Sequence, residues 1–132
     1  MLDNSPRTRE QVRAAAAHDL IREIKSGEKD FGRQCLRLPA LIHQCGLCQA
    51  LAFLESKKSN DLLDGLARVV SAPEQDPKKK LNGQGLAKQA RDAGMIEYQW
   101  LSREALKSAQ WLKRYAEAIL KVEPGDDGGG RK

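Results

Sequence analysis

LIHQCGLCQALAF, Leu41 to Phe53, sets a Cys-x-x-Cys with a histidine two residues ahead of it inside a run of apolar residues. Its reading decides the fold, because a metal knuckle and a helical core demand different surroundings. A structural zinc site needs four thiolate or imidazole ligands. Cys45, Cys48 and His43 stand close together, and Cys35 and His18 lie further off. Zinc pairs usually sit on a tight knuckle, whereas these cysteines flank Gly46 within a helical apolar pattern. A thioredoxin-type pair would need a preceding strand and a βαβ setting. Free cysteine also behaves as a small core hydrophobe. The stretch therefore reads as a helix pair broken at Gly46, with both thiols reduced and largely buried. Neither histidine shows an obvious catalytic pairing with an acid or nucleophile, so each reads as an ordinary surface or core histidine.

Composition agrees with a helical reading. The chain of 132 residues has four Val, five Ile and one Thr against 33 Leu and Ala, a balance that favours helix over strand. The fold class is all-α, a single bundle of about six helices with no sheet. Residues 1–122 form its domain, and residues 123–132, EPGDDGGGRK, have the composition of a disordered tail. The N-terminal MLDNSPRTRE lacks the apolar core of a signal peptide, and no run approaches the ~20 apolar residues of a membrane span. Three cysteines, an odd number, also argue against a secreted disulfide framework, so the cytoplasm is the expected location.

Periodicity places the elements. Ser5 and Pro6 suit the start of a first helix over 6–26, with Val12, Ala16, Leu20 and Ile24 on one face and Gly27 as the stop. A short amphipathic segment follows over 30–36. Pro39 then marks a new first turn, and apolar residues nearly encircle 39–54, which predicts a central element. Asn60 can cap a helix over 61–71. The stretch 72–83, with two prolines and a lysine triplet, is the longest loop, exposed and mobile. Helix resumes near Gln84 and stops at Gly94. Ser102 can cap the last helix, which runs to about Val122 because Pro124 cannot continue it.

The chemistry on offer is sparse. NGQGL lacks both the lysine-serine ending and the strand of a phosphate loop, and the carboxylates are scattered singly, so neither an enzyme nor a cofactor is expected. Leu86 to Leu101 offers a helix-turn-helix alternative, with Ala90 and Gly94 at the small-residue and turn positions and Met95 as the apolar residue after the turn. Two positions fail that pattern: Gln89 stands where an apolar residue belongs, and Arg103 falls at a normally buried site. A net charge of +5 leaves an anionic partner as the remaining signal. Basic residues that could neutralise phosphates recur along the chain, at Arg7, Arg9 and Arg13, Arg33 and Arg37, Lys57–Lys58, Lys78–Lys80, Lys88 with Arg91, and Lys113–Arg114. Aromatics, 5% of the chain, are too few for a base-stacking platform.

Three stretches carry a family resemblance. TREQVRAAAAHDLI (Thr8 to Ile21) looks like the first helix of the small helical subunit of the Cmr complex, the type III-B CRISPR effector that targets RNA. LPALIHQCGLCQALAFLESK (Leu38 to Lys57) is similar to that family's most distinctive segment, with its Leu-Pro pair, Gly-Leu and Ala-Phe-Leu. YQWLSREALKSAQWLKRYAEAIL (Tyr98 to Leu120) matches its closing Trp-Leu-Lys and aromatic-Ala pattern. The resemblance implies a non-catalytic subunit that stacks in several copies beside the backbone subunits and the large signalling subunit. It implies basic surfaces lining the groove of the guide–target RNA duplex, with cutting done by another subunit. Carried over by position, Arg9, Lys113 and Arg114 are the implied RNA contacts; Arg13, Lys88 and Arg91 are added from charge alone. The family pattern requires no cysteine at positions 45 and 48, so the resemblance places no zinc or disulfide there.

Overall fold

The apolar spacing makes six α-helices and, among the described residues, no strand, in a computed structural model that describes residues 5–24, 29–56 and 60–122. In chain order they are α1 (Arg9–Glu23), α2 (Lys29–Cys45), α3 (Leu47–Ser56), α4 (Asn60–Val70), α5 (Gly83–Asp92) and α6 (Met95–Tyr115). A 3-10 turn (Pro77–Lys79) precedes α5, and a π turn (Ala116–Leu120) extends α6. Gly27, Pro124 and the tail expected over 123–132 lie outside the described residues.

Four boundaries depart from the sequence reading, two through local capping and backbone geometry at α1 and two through packing. The first helix starts at Arg9 rather than Pro6, because Thr8 forms a capping box with Gln11. The Thr8 hydroxyl accepts from the Gln11 amide at 3.0 Å, and the Gln11 side-chain carbonyl accepts from the Thr8 amide at 2.8 Å. Its C-terminal end comes at Glu23, where Ile24 turns to extended backbone. The segments expected over 30–36 and from Pro39 are one helix, with Pro39 inside it. The buried stripe Phe31–Cys35–Leu38–Ile42 runs at 4-3-4 spacing straight through the proline. Burial of that stripe, at ~1.5–3 kcal/mol for each large side chain, outweighs one lost ladder bond. The last helix starts at Met95, seven residues before Ser102, which is an ordinary mid-helix position with its hydroxyl unpartnered.

Gly46 does break the chain where expected. Its φ is +85°, its amide still bonds the Ile42 carbonyl at 2.9 Å, and α3 begins at the next residue. Only glycine takes that left-handed geometry at no steric cost. The hydroxyl of Tyr98, on α6, then accepts from the Cys48 amide at 3.0 Å, satisfying one open donor of α3's first turn.

Residues 39–54 do pack on several sides: α2 lies against α6, α3, α4 and the π turn, and α3 against α2, α4 and α5. α6 packs on α1, α2 and α4, while α4 packs also on α3 and α5. Seven of the eleven residues of α4 are buried, from Leu62 to Val70. The apolar residues of 39–54 are divided between α2 and α3 by the break at Gly46, and Ala52 and Phe53 face solvent. Buried side chains of all six helices join one core. The loop after α4 is exposed over 75–80 but pinned at both ends. The Ser71 hydroxyl accepts from the Leu81 amide at 2.9 Å, and Asp64 accepts from the Gly83 amide at 2.7 Å.

The thiols also differ from expectation. Cys35 is fully buried, Cys48 partly so, and Cys45 is exposed; all three are free. Burial pushes the Cys35 thiol up to about 12, which keeps it protonated at neutral pH. Cys45 ends α2 on its outer side, because Ile42 and Leu38 already occupy the buried face.

The helix-turn-helix alternative does not describe this geometry. α5 packs on α4 and α3 rather than along α6, and Met95, which such a motif would bury, is 76% exposed.

Candidate nucleic-acid interface

The Thr8 capping box sets the phase of α1, and that phase separates the two arginines one turn apart. Arg13 turns inward beside Ala17, Leu20 and Ile21 and is only 3% exposed. One of its terminal nitrogens pairs with Glu104 of α6, and the other donates to the Val70 carbonyl at the end of α4, 2.9 Å away. Arg13 is therefore an internal strut joining three helices, and its charge is spent on a buried carboxylate rather than offered to phosphate. The expected face, centred on Val12 and Ala16, is rotated by one residue to admit it.

Arg9 stays at the rim. Its guanidinium lies 5.5 Å from the Trp100 ring centroid, within cation–π range. It also comes within 3.6 Å of Glu74 and 3.9 Å of Glu104. Below it, α1 and α6 enclose a groove of about 550 Å³ lined by Arg9, Trp100, Glu104, Lys107, Trp111 and Arg114, among others. On α6 these residues fall at 4-3-4-3 spacing, a single stripe along the helix. Lys107 reaches Glu104 at 3.8 Å, and Arg114 reaches Glu117 at 3.9 Å; both side chains remain largely exposed. Trp111 stacks on Tyr115 at 5.6 Å and 22°, and Tyr115 meets His18 edge-on at 5.2 Å, which anchors the indole to α1.

Of the residues singled out from sequence, the groove thus brings together Arg9 and Arg114. Lys113, next to Arg114, lies outside the groove lining, half-buried, with no carboxylate partner among the described residues. Lys88 and Arg91 sit on α5. Lys88 pairs with Asp92, holding that carboxyl below its usual range, while Arg91 borders a smaller cleft of about 260 Å³ between α3 and α5. Sequence reasoning missed Trp100, Lys107 and Glu104. The 4-3-4-3 repeat over 100–114 was a legible signal, but a mixed polar and aromatic stripe carries meaning only once a neighbouring helix walls it. No group of three or more His, Cys, Asp or Glu among the described residues could hold a metal ion.

Similarity to known proteins covers almost the same residues. The family model described as CRISPR-associated protein (Cas_Cmr5) matches residues 9–119, an interval that opens on Arg9 and includes the whole α6 stripe. The CRISPR system Cmr subunit Cmr5 of Thermus thermophilus is 39% identical over 119 residues, spanning 86% of this chain and 97% of that protein. The crystal structure of a CRISPR-associated Cmr5 family protein, also from Thermus thermophilus, superposes with a TM-score of 0.75 at 36% identity. It covers 89% of this chain and 100% of that one.

Proposed function

The chain belongs to the CRISPR-associated Cmr5 family, and from that membership we propose that it is a non-catalytic subunit of a type III-B Cmr effector that contacts RNA through its phosphates. It stacks with further copies of itself beside the backbone and large signalling subunits, in the cytoplasm, and serves antiviral defence. Its cationic surface lies against the guide–target RNA duplex. Arg9 and Arg114 at the groove rim, with Lys113, Lys88 and Arg91, supply charge; Arg13 does not, because it is consumed inside the bundle.

The observation that carries this reading is the pairing of nearly full-length family similarity with exposed cations on α1, α5 and α6. Point charges of this kind neutralise phosphates without reading base sequence. Affinity for an RNA duplex should then fall by orders of magnitude between about 50 and 200 mM salt and vary little with sequence. The test is fluorescence anisotropy with labelled duplex RNA, comparing the chain with the K113E/R114E variant. The variant should bind at least about tenfold more weakly and with a shallower salt slope. Unchanged binding by a variant of undiminished helicity would refute this surface.

A further inference from the structure

The chain has only two tryptophans, and both line the groove between α1 and α6. That concentration is not a packing requirement. Trp100 is 39% exposed, while the core beneath is filled by Leu101, Ala105, Ala109 and Leu112. Three cations, Arg9, Lys107 and Arg114, share the lining with them. Within the lining, Glu10 and Glu104 face four cations once the buried Arg13 is included, while Glu74 and Glu117 reach Arg9 and Arg114 from outside it at 3.6 Å and 3.9 Å.

We propose that this groove binds an unpaired nucleotide of RNA, its base stacked on the exposed Trp100 indole and its phosphates held by Arg9 and Lys107. The inference rests on the RNA-contact reading above and names the part of the RNA that the groove takes. A duplex offers no free base face, so an indole at a cationic rim has nothing to stack on until a base is splayed out. Arg9, now over the Trp100 ring at 5.5 Å, yields that face to the base and turns its guanidinium to the phosphate. Trp111 lies three helical turns along, about 16 Å away. That is several times the ~3.4 Å rise per nucleotide in a stacked strand, so neighbouring bases cannot occupy both rings. Trp111 is the more buried and is braced by Tyr115, which suits it to a wall of the groove. The low overall aromatic content is thus offset by placement.

Because no other tryptophan exists, tryptophan emission, excited selectively over Tyr98 and Tyr115, reports on the groove alone. The chain is titrated at low salt with oligouridylate, with an abasic strand of the same length, and with an RNA duplex. Oligouridylate should quench tryptophan emission, whereas the abasic strand and the duplex should bind with little quenching. The W100L variant should lose most of the quenching and bind oligouridylate at least about fivefold more weakly, a larger loss than it shows for the duplex. Lys107→Ala should weaken all three ligands to similar degrees. Equal quenching by the abasic strand, or unaltered oligouridylate affinity in folded W100L, overturns the proposal. Duplex binding without any quenching by oligouridylate overturns it too, yet leaves the backbone-contact reading standing. Failure of all three ligands to bind removes both.

Discussion

Arg13→Met tests the internal strut. The side chains are similar in volume, so the change removes the guanidinium and little packing. Two groups then lose their donor: the Glu104 carboxylate, whose residue is only 7% exposed, and the Val70 carbonyl. Breaking a buried ion pair by deleting one partner costs about 3–5 kcal/mol. Arg9 and Lys107 remain within 3.9 Å and 3.8 Å of the Glu104 carboxylate and soften the loss, so the lower end applies, about 3 kcal/mol. For a chain of this size that corresponds to a fall in Tm of roughly 10 °C. In urea the midpoint should drop by about 1.5 M at an unchanged slope near 2 kcal/mol/M. Far-UV circular dichroism follows both transitions. The double variant Arg13→Met/Glu104→Leu should recover most of the stability, because an apolar pair of similar volume can replace a buried ion pair at little net cost. A loss below about 1 kcal/mol, or a double variant no better than the single, would refute the strut. Native-state affinity of Arg13→Met for duplex RNA should stay close to that of the parent.

The three thiols should react in order of exposure. Alkylation at neutral pH, read by peptide mass, should modify Cys45 first, Cys48 more slowly and Cys35 only on unfolding; early Cys35 labelling would contradict its burial. Gly32→Ala should destabilise by about 1–3 kcal/mol despite alanine's higher helix propensity. A Cβ there would collide with Val122 Cγ2, and a stabilised variant in chemical denaturation would show that Val122 does not lie against α2. Glu23 accepts two hydrogen bonds from Arg68, at 3.0 Å and 2.9 Å, and these hold its carboxyl below the ordinary value of 4.5. A depressed folded-state value means the pair's contribution is present above pH 4.5 and is lost as pH falls through the lowered value. Arg68→Gln should return the Glu23 titration, followed by NMR, to the ordinary range; an unmoved titration would sink the assignment.

Much of the fold was legible because helix formation leaves a local imprint. Leu62, Leu63, Leu66, Val69 and Val70 read as one buried face before any neighbour was known, and Gly46 read as a break because glycine can stop or kink a helix. Pro39 misled because a local steric rule was weighed without the stripe from Phe31 to Ile42, whose burial is a tertiary reward. Ser102 misled likewise: a serine can cap, but the docking of Tyr98 on α3 draws α6 back to Met95.

By itself the sequence determined the all-α class, the break at Gly46 and the family, since these rest on residue type and short spacings along one chain. Only the tertiary structure decided which cations face solvent. Arg9 and Arg13 are the same residue type one turn apart, yet one lies at a groove rim and the other inside the bundle. The difference comes from Glu104, ninety-one residues beyond Arg13, which reaches it only through the packing of α6 on α1. The same packing turns two scattered tryptophans into one groove. Electrostatics and stacking act through space, so the partners that give a charge or a ring its role are set by helix packing rather than by position in the chain.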